Sequence, residues 1–237
     1  MIDLHRTTKR LFDVTGLRFL KEYFSARGRN AVFIWIPKNA GTSIFNMLNA
    51  PQFKTAYHAK YRFAQRGTVT FTHMDYAELV SQGHVSRRFD RSAFKFAFSR
   101  NPYARAVSLY FYLRAAKCPG AGQESFLAFC RELGERGCDP IGLFNVNGTS
   151  QCNPQVRWIE HTRLDFLGSV ETLEADLKRL FEELKLPHTA PLHLNQIERN
   201  DYSEYYCPES AEIVRAFYRE DFEAFGYETT APTRNCS

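Results

Sequence analysis

The stretch AVFIWIPKNAGTS at residues 31–43 constrains the fold of this chain more than any other segment. Its first part is a short apolar run rich in β-branched and aromatic residues, which is typical of a buried parallel strand. Pro37 ends that run, and residues 42–50 have the pattern of a helix capped by Thr42 or Ser43. The stretch therefore predicts a strand, a tight turn and a helix N-terminus.

A turn of this kind is an anion site on physical grounds, because the first N–H groups of a helix lack partners and the helix dipole favours negative charge there. Small residues let the backbone approach a phosphate, hydroxyls add donors, and a lysine adds a mobile positive charge. The alternative is a turn without a ligand, in which the glycine only relieves crowding. The candidate binding residues are Lys38, Asn39, Ala40, Gly41, Thr42 and Ser43.

The residue order separates this turn from the ATPase loop GxxxxGK[ST], in which the lysine follows the glycines and the Ser/Thr holds Mg²⁺. Here Lys38 precedes Gly41, and no upstream glycine stands at the required spacing. No acidic residue at a strand end is a convincing Mg²⁺ ligand. The order disfavours a kinase, and we predict no metal site.

A second strand–helix pair follows at residues 93–99 and 101–117. Arg100 comes directly after the strand, where α/β proteins bind ligands, and Ser108 lies two turns into the helix. Arg105 stands between them. A guanidinium and a hydroxyl in this arrangement can close on one phosphate, although a helix serine by itself is commonly structural.

Further strands and helices alternate along the chain, which predicts an α/β fold with a central parallel sheet covered by helices on both faces. The length of 237 residues and the hydrophobic content of 44% suit one domain. We expect a helical extension at 1–30 and a core at 30–228. The remaining predicted strands are 68–73 and 164–170, and the remaining helices begin near 75 and span 171–185 and 208–225.

The charge distribution suits a small anionic ligand better than nucleic acid, for which a longer basic face is expected. The net charge is +5, and the last third of the chain is acidic. Basic residues concentrate between 85 and 115, where Asp90 is the one acidic residue. They are Arg87, Arg88, Arg91, Lys95, Arg100, Arg105 and Arg114.

No apolar run approaches the length of about 18–20 residues that a membrane helix needs, and the N-terminus lacks the apolar centre of an export signal. These features predict a soluble, cytoplasmic protein without a membrane span. The six cysteines show no metal-binding spacing, so we expect free thiols. The sequence does not indicate an oligomeric state.

The two phosphate elements together resemble the sulfotransferases that use 3′-phosphoadenosine 5′-phosphosulfate (PAPS). In that family a PKxxGTS turn holds the 5′-phosphosulfate, and an R-[DN]-P-x-x-R-x-x-S-x-Y segment holds the 3′-phosphate. Here they are PKNAGTS and RNPYARAVSLY. Other segments are similar to carbohydrate sulfotransferases related to the heparan 2-O, chondroitin 4-O and HNK-1 enzymes. They are CNPQVRWI, LDFLGSVETLEADL, LHLNQIERNDYSEYY and IVRAFYREDFEAFGY, with Ser169-Val170 in place of the usual Arg-Phe.

The resemblance implies a single domain of the P-loop-like PAPS sulfotransferase fold and an in-line transfer of a sulfuryl group to a carbohydrate hydroxyl. Lys38 would stabilise charge on the departing 5′-phosphate, which the rest of the turn would hold. Arg100 and Ser108 would clamp the 3′-phosphate. Because the transferred group carries less charge than a phosphoryl group, a metal is not required in principle.

An acceptor hydroxyl needs a base near neutral pH, and His73 is the leading candidate because it directly follows the predicted strand 68–73. It resembles the histidine of a GHM segment in the glycan enzymes, with Thr72 where they often have glycine. His58 is the main rival. Asp75 and Glu78 are lesser candidates.

Other residues carry weaker hypotheses. Asn195 and Arg199 lie in a late segment that resembles the cofactor-covering loop of the family. Trp158 would lie near the adenine or pack in the core. Arg62 and Arg66 would meet an anionic glycan or remain solvated.

Two alternatives to a carbohydrate sulfotransferase stay open at this point. One is a PAPS enzyme that acts on a lipid, a peptide or a small alcohol, and the other is a relative that binds a nucleotide or glycan without catalysis. Because the eukaryotic glycan enzymes are anchored in the Golgi, a Golgi lumen location is the alternative to the cytoplasm if an anchor was removed.

Overall fold

The computed structural model describes residues 31–48, 53–54, 60–63, 67–70, 73–81, 87–114, 123–136, 144–145, 149–186 and 202–230. The strands are β1 (Ala31–Phe33), β2 (Phe53–Lys54), β3 (Lys60–Phe63), β4 (Gly67–Thr70), β5 (Phe94–Ser99), β6 (Phe144–Asn145) and β7 (Phe166–Ser169). The helices are α1 (Gly41–Leu48), α2 (Tyr76–Ser81), α3 (Arg87–Ser92), α4 (Pro102–Arg114), α5 (Gln123–Arg136), α6 (Leu173–Leu184), α7 (Pro208–Phe217) and α8 (Arg219–Phe225). Two 3₁₀ turns span Gln155–Trp158 and Tyr202–Tyr205.

The central sheet has the strand order β2-β1-β5-β7, and all three pairings are parallel. The chain runs from β1 to β2 on one side and later returns to β5 on the other side. The strand order therefore reverses between β1 and β5, and open parallel sheets bind ligands beyond the carboxyl ends of their strands at such a point. This crevice lies beside Lys38 and Arg100, which follow the two strands.

Side chains of residues 31–36 alternate between the two faces of the sheet, beyond the end of β1 itself. One face packs against α1 and α6 and includes Ala31, Phe33, Trp35, Ile44, Phe96 and Leu177. The other packs against α2 and the first 3₁₀ turn and includes Val32, Ile34, Ile36, Met74, Leu79 and Trp158. The prediction of an α/β fold with a parallel sheet flanked by helices is confirmed. The proposed division into an extension and a core remains a prediction, because residues 1–30 lie outside the described part.

The strand predicted at 68–73 forms, as β4, but it does not belong to the central sheet. It pairs antiparallel with β3 and parallel with β6 in a second sheet of three strands. The short connection between β3 and β4 accounts for this, because strands joined by a few residues pair antiparallel, whereas a parallel neighbour needs a long crossover. This second, mixed sheet was not predicted from the sequence.

The helix predicted at 208–225 is two helices, α7 and α8, which meet at Tyr218. The Tyr218 ring is fully buried, and its hydroxyl donates to the carbonyl oxygen of Cys152 at 2.8 Å. The break lets α8 follow its own direction towards the first 3₁₀ turn. Helices α3 and α5 were not predicted. No helix in the described part of the chain is long and apolar enough to cross a bilayer.

The beginning of α1 lies directly against the indole of Trp35. A Cβ atom built on Gly41 would lie 1.7 Å from Nε1 and 2.2 Å from Cδ1 of this ring. The ring is only 5% exposed and stacks on Phe33 and Phe45, so it has little freedom to move aside. Only glycine therefore fits at position 41. Relief of crowding against the Trp35 ring is thus one reason for a glycine in this turn.

We predict that Gly41→Ala lowers the free energy of unfolding by about 1–3 kcal/mol, the usual cost of overpacking. Urea denaturation followed by tryptophan fluorescence measures it. Gly134→Ala on α5 is the matched control, because a Cβ atom built on this exposed glycine has a single described neighbour beyond α5 within 4 Å, the Cγ2 methyl of Ile213 at 3.0 Å. Alanine favours a helix over glycine by up to about 1 kcal/mol, so the control should be neutral or stabilising. Equal stability of Gly41→Ala and the parent would contradict this account.

Candidate active site

The backbone of the turn after β1 is strained. Lys38 and Ala40 have φ angles of 69° and 55°, in the left-handed region that costs an L-residue about 1–2 kcal/mol. Left-handed residues that alternate with others turn successive N–H groups towards one point and form a concave anion site. Strain of this kind clusters at ligand sites, so the turn has the backbone expected of a phosphate cradle.

Two arginines hold this turn by its carbonyl groups. Nη1 of Arg100 donates to the carbonyl oxygen of Lys38 at 3.1 Å, and Nε of Arg105 donates to that of Pro37 at 3.1 Å. Both donors come from the segment after β5, across the switch point. The two segments that the sequence predicts to bind phosphate are therefore neighbours in space and are directly hydrogen-bonded.

A buried amide, Gln155, completes the connection. Its Oε1 accepts from Nδ2 of Asn39 at 2.6 Å and from the backbone N–H of Arg100 at 2.9 Å. Its Nε2 donates to the carbonyl oxygen of Arg100 at 2.8 Å and to Oδ2 of Asp221 at 3.3 Å. Nδ2 of Asn39 also donates to the carbonyl oxygen of Phe98 at 2.6 Å. The Asn39 side chain therefore binds groups of the protein interior, and the residue is almost fully buried.

Asp221 on α8 holds Gln155 through both its side-chain amide and its backbone. The carboxylate is fully buried and accepts the backbone N–H groups of Gln155 at 2.8 Å and of Val156 at 3.0 Å. Burial raises the pKa of Asp221, against the opposing effects of the Arg105 charge and of these hydrogen bonds.

The first turn of α4 is already capped. Oδ1 of Asn101 accepts the N–H groups of Tyr103 at 2.9 Å and of Ala104 at 3.4 Å, and Pro102 has no N–H. An anion near this helix must therefore be bound by side chains, and Arg100 is half-buried at this position.

The remaining residues predicted on α4 lie deeper. Ser108 is 3% exposed. Arg105 is fully buried between the rings of Trp158 and Tyr218, and its Nη2 donates to the carbonyl oxygen of Gln151 at 2.8 Å. Arg105 therefore supports the turn from the interior and does not line the cleft.

The other predicted residues of the turn differ in exposure. Lys38 is half-buried, and its Nζ lies 3.9 Å from the centroid of the Tyr112 ring. The side chain of Thr42 is exposed, and that of Ser43 is partly exposed, so both hydroxyls sit at the surface beside the first turn of α1.

His73 lies at the carboxyl end of β1, beside the turn. Its Nδ1 is 3.0 Å from the carbonyl oxygen of Trp35, and its own carbonyl oxygen accepts Nε1–H of Trp158 at 3.0 Å. Because a carbonyl can only accept, the neutral ring carries its proton on Nδ1 and its lone pair on Nε2. This is the tautomer that a proton acceptor needs. Trp158 itself is fully buried and belongs to the core.

The carboxylate rivals of His73 form a capping box at the start of α2. Oδ1 of Asp75 accepts the N–H of Glu78 at 2.8 Å, and Oε2 of Glu78 accepts the N–H of Asp75 at 3.1 Å. Both groups are thus bound to the helix N-terminus. His58, Arg66, Asn195 and Arg199 lie outside the described residues, as does the side chain of Arg62 on β3, so the hypotheses on them stay open.

Three residues of this site carried no role in the sequence-based prediction. They are Gln155, Asp221 and Trp35, whose carbonyl orients His73 and whose ring dictates Gly41. The one available signal was the similarity of the segment CNPQVRWI, which contains Gln155. Nothing in the pattern linked Asp221 to it.

Comparison with known families agrees with this geometry. The family model of the sulfotransferases matches residues 21–228, most of the chain. The chain belongs to the sulfotransferase family. Searches of curated proteins and of solved structures gave no match. This sulfotransferase is thus an enzyme of sulfuryl transfer. Within its described residues, no group of three or more His, Cys, Asp and Glu side chains is placed to hold a metal.

The raised pKa of Asp221 predicts a pH-dependent contribution to stability. A carboxyl whose pKa is higher in the folded state contributes stability below the pKa of the unfolded chain, about 3.9, and loses it as the pH rises through the folded pKa. Asp221→Asn cannot titrate. We expect its unfolding free energy, relative to the parent, to improve from pH 3 to pH 7. The gain should be about 1.4 kcal/mol for each tenfold increase in proton affinity that folding gives the Asp221 carboxylate.

Urea denaturation across this pH range measures the difference. Glu223→Gln, which removes an exposed carboxylate from the same helix, controls for the change in net charge. Parallel stability curves for Asp221→Asn and the parent would show that burial does not raise the pKa of this carboxyl.

Proposed function

We propose that this sulfotransferase takes its sulfuryl group from PAPS and transfers it to a hydroxyl of a carbohydrate. The observation that carries the proposal is the hydrogen bond between Arg100 and the carbonyl of Lys38, which joins two anion elements at one crevice. A donor with phosphates at both ends of its nucleoside suits such a pair.

The residues present fit this donor. The strained turn and the first N–H groups of α1 suit the 5′-phosphate, with the exposed hydroxyl of Thr42 and the partly exposed one of Ser43 beside them. Arg100, with Ser108 on the same segment, suits the 3′-phosphate. PAPS supplies a sulfuryl group attached to a phosphate that can leave.

Lys38 would neutralise negative charge where the phosphate departs. Such preorganised charge is usually the largest single contribution to catalysis, and correct orientation of the reactants adds to it. The backbone of Lys38 is held by Arg100, so only the side-chain torsions of the lysine remain free to adjust.

His73 would accept the proton of the acceptor hydroxyl at Nε2. The hydrogen bond from its Nδ1–H to the Trp35 carbonyl orients the ring and also stabilises the imidazolium that forms. A base placed in this way contributes on the order of 10²–10⁴ to a rate.

The carbohydrate acceptor rests on sequence similarity to glycan enzymes, in segments such as 152–159 and 164–177. A lipid, a peptide or a small alcohol is the competing acceptor. We also propose that the enzyme acts in the cytoplasm.

Titration calorimetry tests the donor. The enzyme should bind 3′-phosphoadenosine 5′-phosphate (PAP) and not ATP–Mg²⁺. Arg100→Ala should weaken PAP binding by about 1.5–3 kcal/mol, the scale of a hydrogen bond to a charged group. Arg157→Ala, at an exposed arginine paired with Glu160, is the control and should bind normally. Unchanged affinity in Arg100→Ala, or preference for ATP–Mg²⁺, would defeat the assignment.

Transfer of labelled sulfate from PAPS to a glycan panel tests the chemistry. Lys38→Ala and His73→Ala should abolish transfer, whereas His73→Ala should keep the PAP affinity of the parent because the base does not hold the donor. His161→Ala, at an exposed histidine, is the control. Normal turnover in His73→Ala would remove it as the base. Transfer only to lipid, peptide or small-alcohol acceptors would overturn the carbohydrate proposal.

A further inference from the structure

Tyr112 on α4 contacts the lysine of the turn. Nζ of Lys38 lies 3.9 Å from the centroid of its ring, well within the distance at which a cation is attracted to an aromatic face. The tyrosine is 38% exposed, which is unusual here, because only Tyr112 and Leu167 among the described large apolar residues are exposed. The cleft therefore contains a partly exposed tyrosine ring with the Lys38 ammonium on its face.

The fold determines this contact. Tyr112 follows Ser108 by four residues and Arg105 by seven, so the three side chains lie on one face of α4. Arg105 ties the turn to that face through the carbonyl of Pro37. Arg100 fixes the backbone of Lys38 itself. With the main chain held at both residues, the ammonium of Lys38 lies over the Tyr112 ring.

We propose that Tyr112 is a positioning residue that holds the Lys38 ammonium on its ring until the donor anion binds. The inference rests on the proposed function, in which Lys38 serves the departing phosphate. The N–H groups of the Lys38 ammonium that face the ring are not available to an anion. The ring and the donor therefore compete for one ammonium, and a phosphate, as the stronger partner, draws it away.

This competition has a measurable size. A cation–π contact at a half-exposed site changes an equilibrium constant by a factor of roughly two to five. Tyr112 should therefore lower the affinity for the donor by that factor. Tyr112 should also fix the position of the Lys38 ammonium beside the turn while no donor is bound.

The contact itself is tested without any ligand. In NMR spectra of the free enzyme, the ring current of Tyr112 should shift the ε-methylene protons of Lys38 upfield. Tyr112→Phe should keep this shift and Tyr112→Leu should abolish it, with urea denaturation to verify that both variants are folded. An unshifted lysine in the parent enzyme would overturn the proposal.

The release of the Lys38 ammonium from the Tyr112 ring on donor binding is tested by a double-mutant cycle. The affinity for PAP is the quantity measured. Tyr112→Leu should bind PAP roughly two- to fivefold more tightly than the parent, and Tyr112→Phe should bind like the parent. In a Lys38→Met background, Tyr112→Leu should have no effect, because the competing ammonium is gone.

Other outcomes contradict the proposal in distinguishable ways. Weaker PAP binding by Tyr112→Leu in both backgrounds would mean that the ring contacts the donor directly. Weaker binding only when Lys38 is present would mean that the ring holds the lysine in its productive place. If the parent binds no PAP, the proposed function fails and release by this donor fails with it, whereas the ring-current shift still decides the contact.

Discussion

Four hydrogen bonds made by one buried amide, that of Gln155, hold the two halves of the candidate active site together. They connect the turn after β1 through Asn39, the end of β5 through Arg100, and α8 through Asp221. An amide is suited to this place because it offers both donors and acceptors, and leaving a buried donor or acceptor unpaired costs free energy. The relative position of the turn and of Arg100 therefore depends on a fully buried residue.

The strain in the turn follows from the same arrangement. Left-handed conformations at Lys38 and Ala40 are unfavourable, and they persist because the neighbouring groups are held from several sides. Two arginines bind consecutive carbonyls, and Trp35 closes the other flank with its ring against Gly41. The carbonyl of the same tryptophan orients His73, so one residue joins the anion cradle to the candidate base.

Much of the fold was predictable, since local patterns specify it. The apolar run at 31–36, the strand at 94–99 and the amphipathic helix at 173–184 are visible as periodicities, and the structure has them within a few residues of the predicted ends. The partner of β4 and the break at Tyr218 were not predictable, because each depends on contacts between distant segments. The capping box of Asp75 and Glu78 was visible in the sequence as a spacing, yet we interpreted its members as candidate bases.

The sequence by itself determined the chemistry of the site: a turn with its lysine first, an arginine after the next strand, and the family to which these motifs belong. Only the tertiary structure decided what each side chain does with that chemistry. Arg100 and Arg105 belong to one motif, yet the first is half-buried at the crevice and the second is enclosed near Asp221. The physical reason is that burial and hydrogen-bond partners come from residues far away in the chain. No local pattern encodes which of two arginines will lie near a carboxylate more than a hundred positions later.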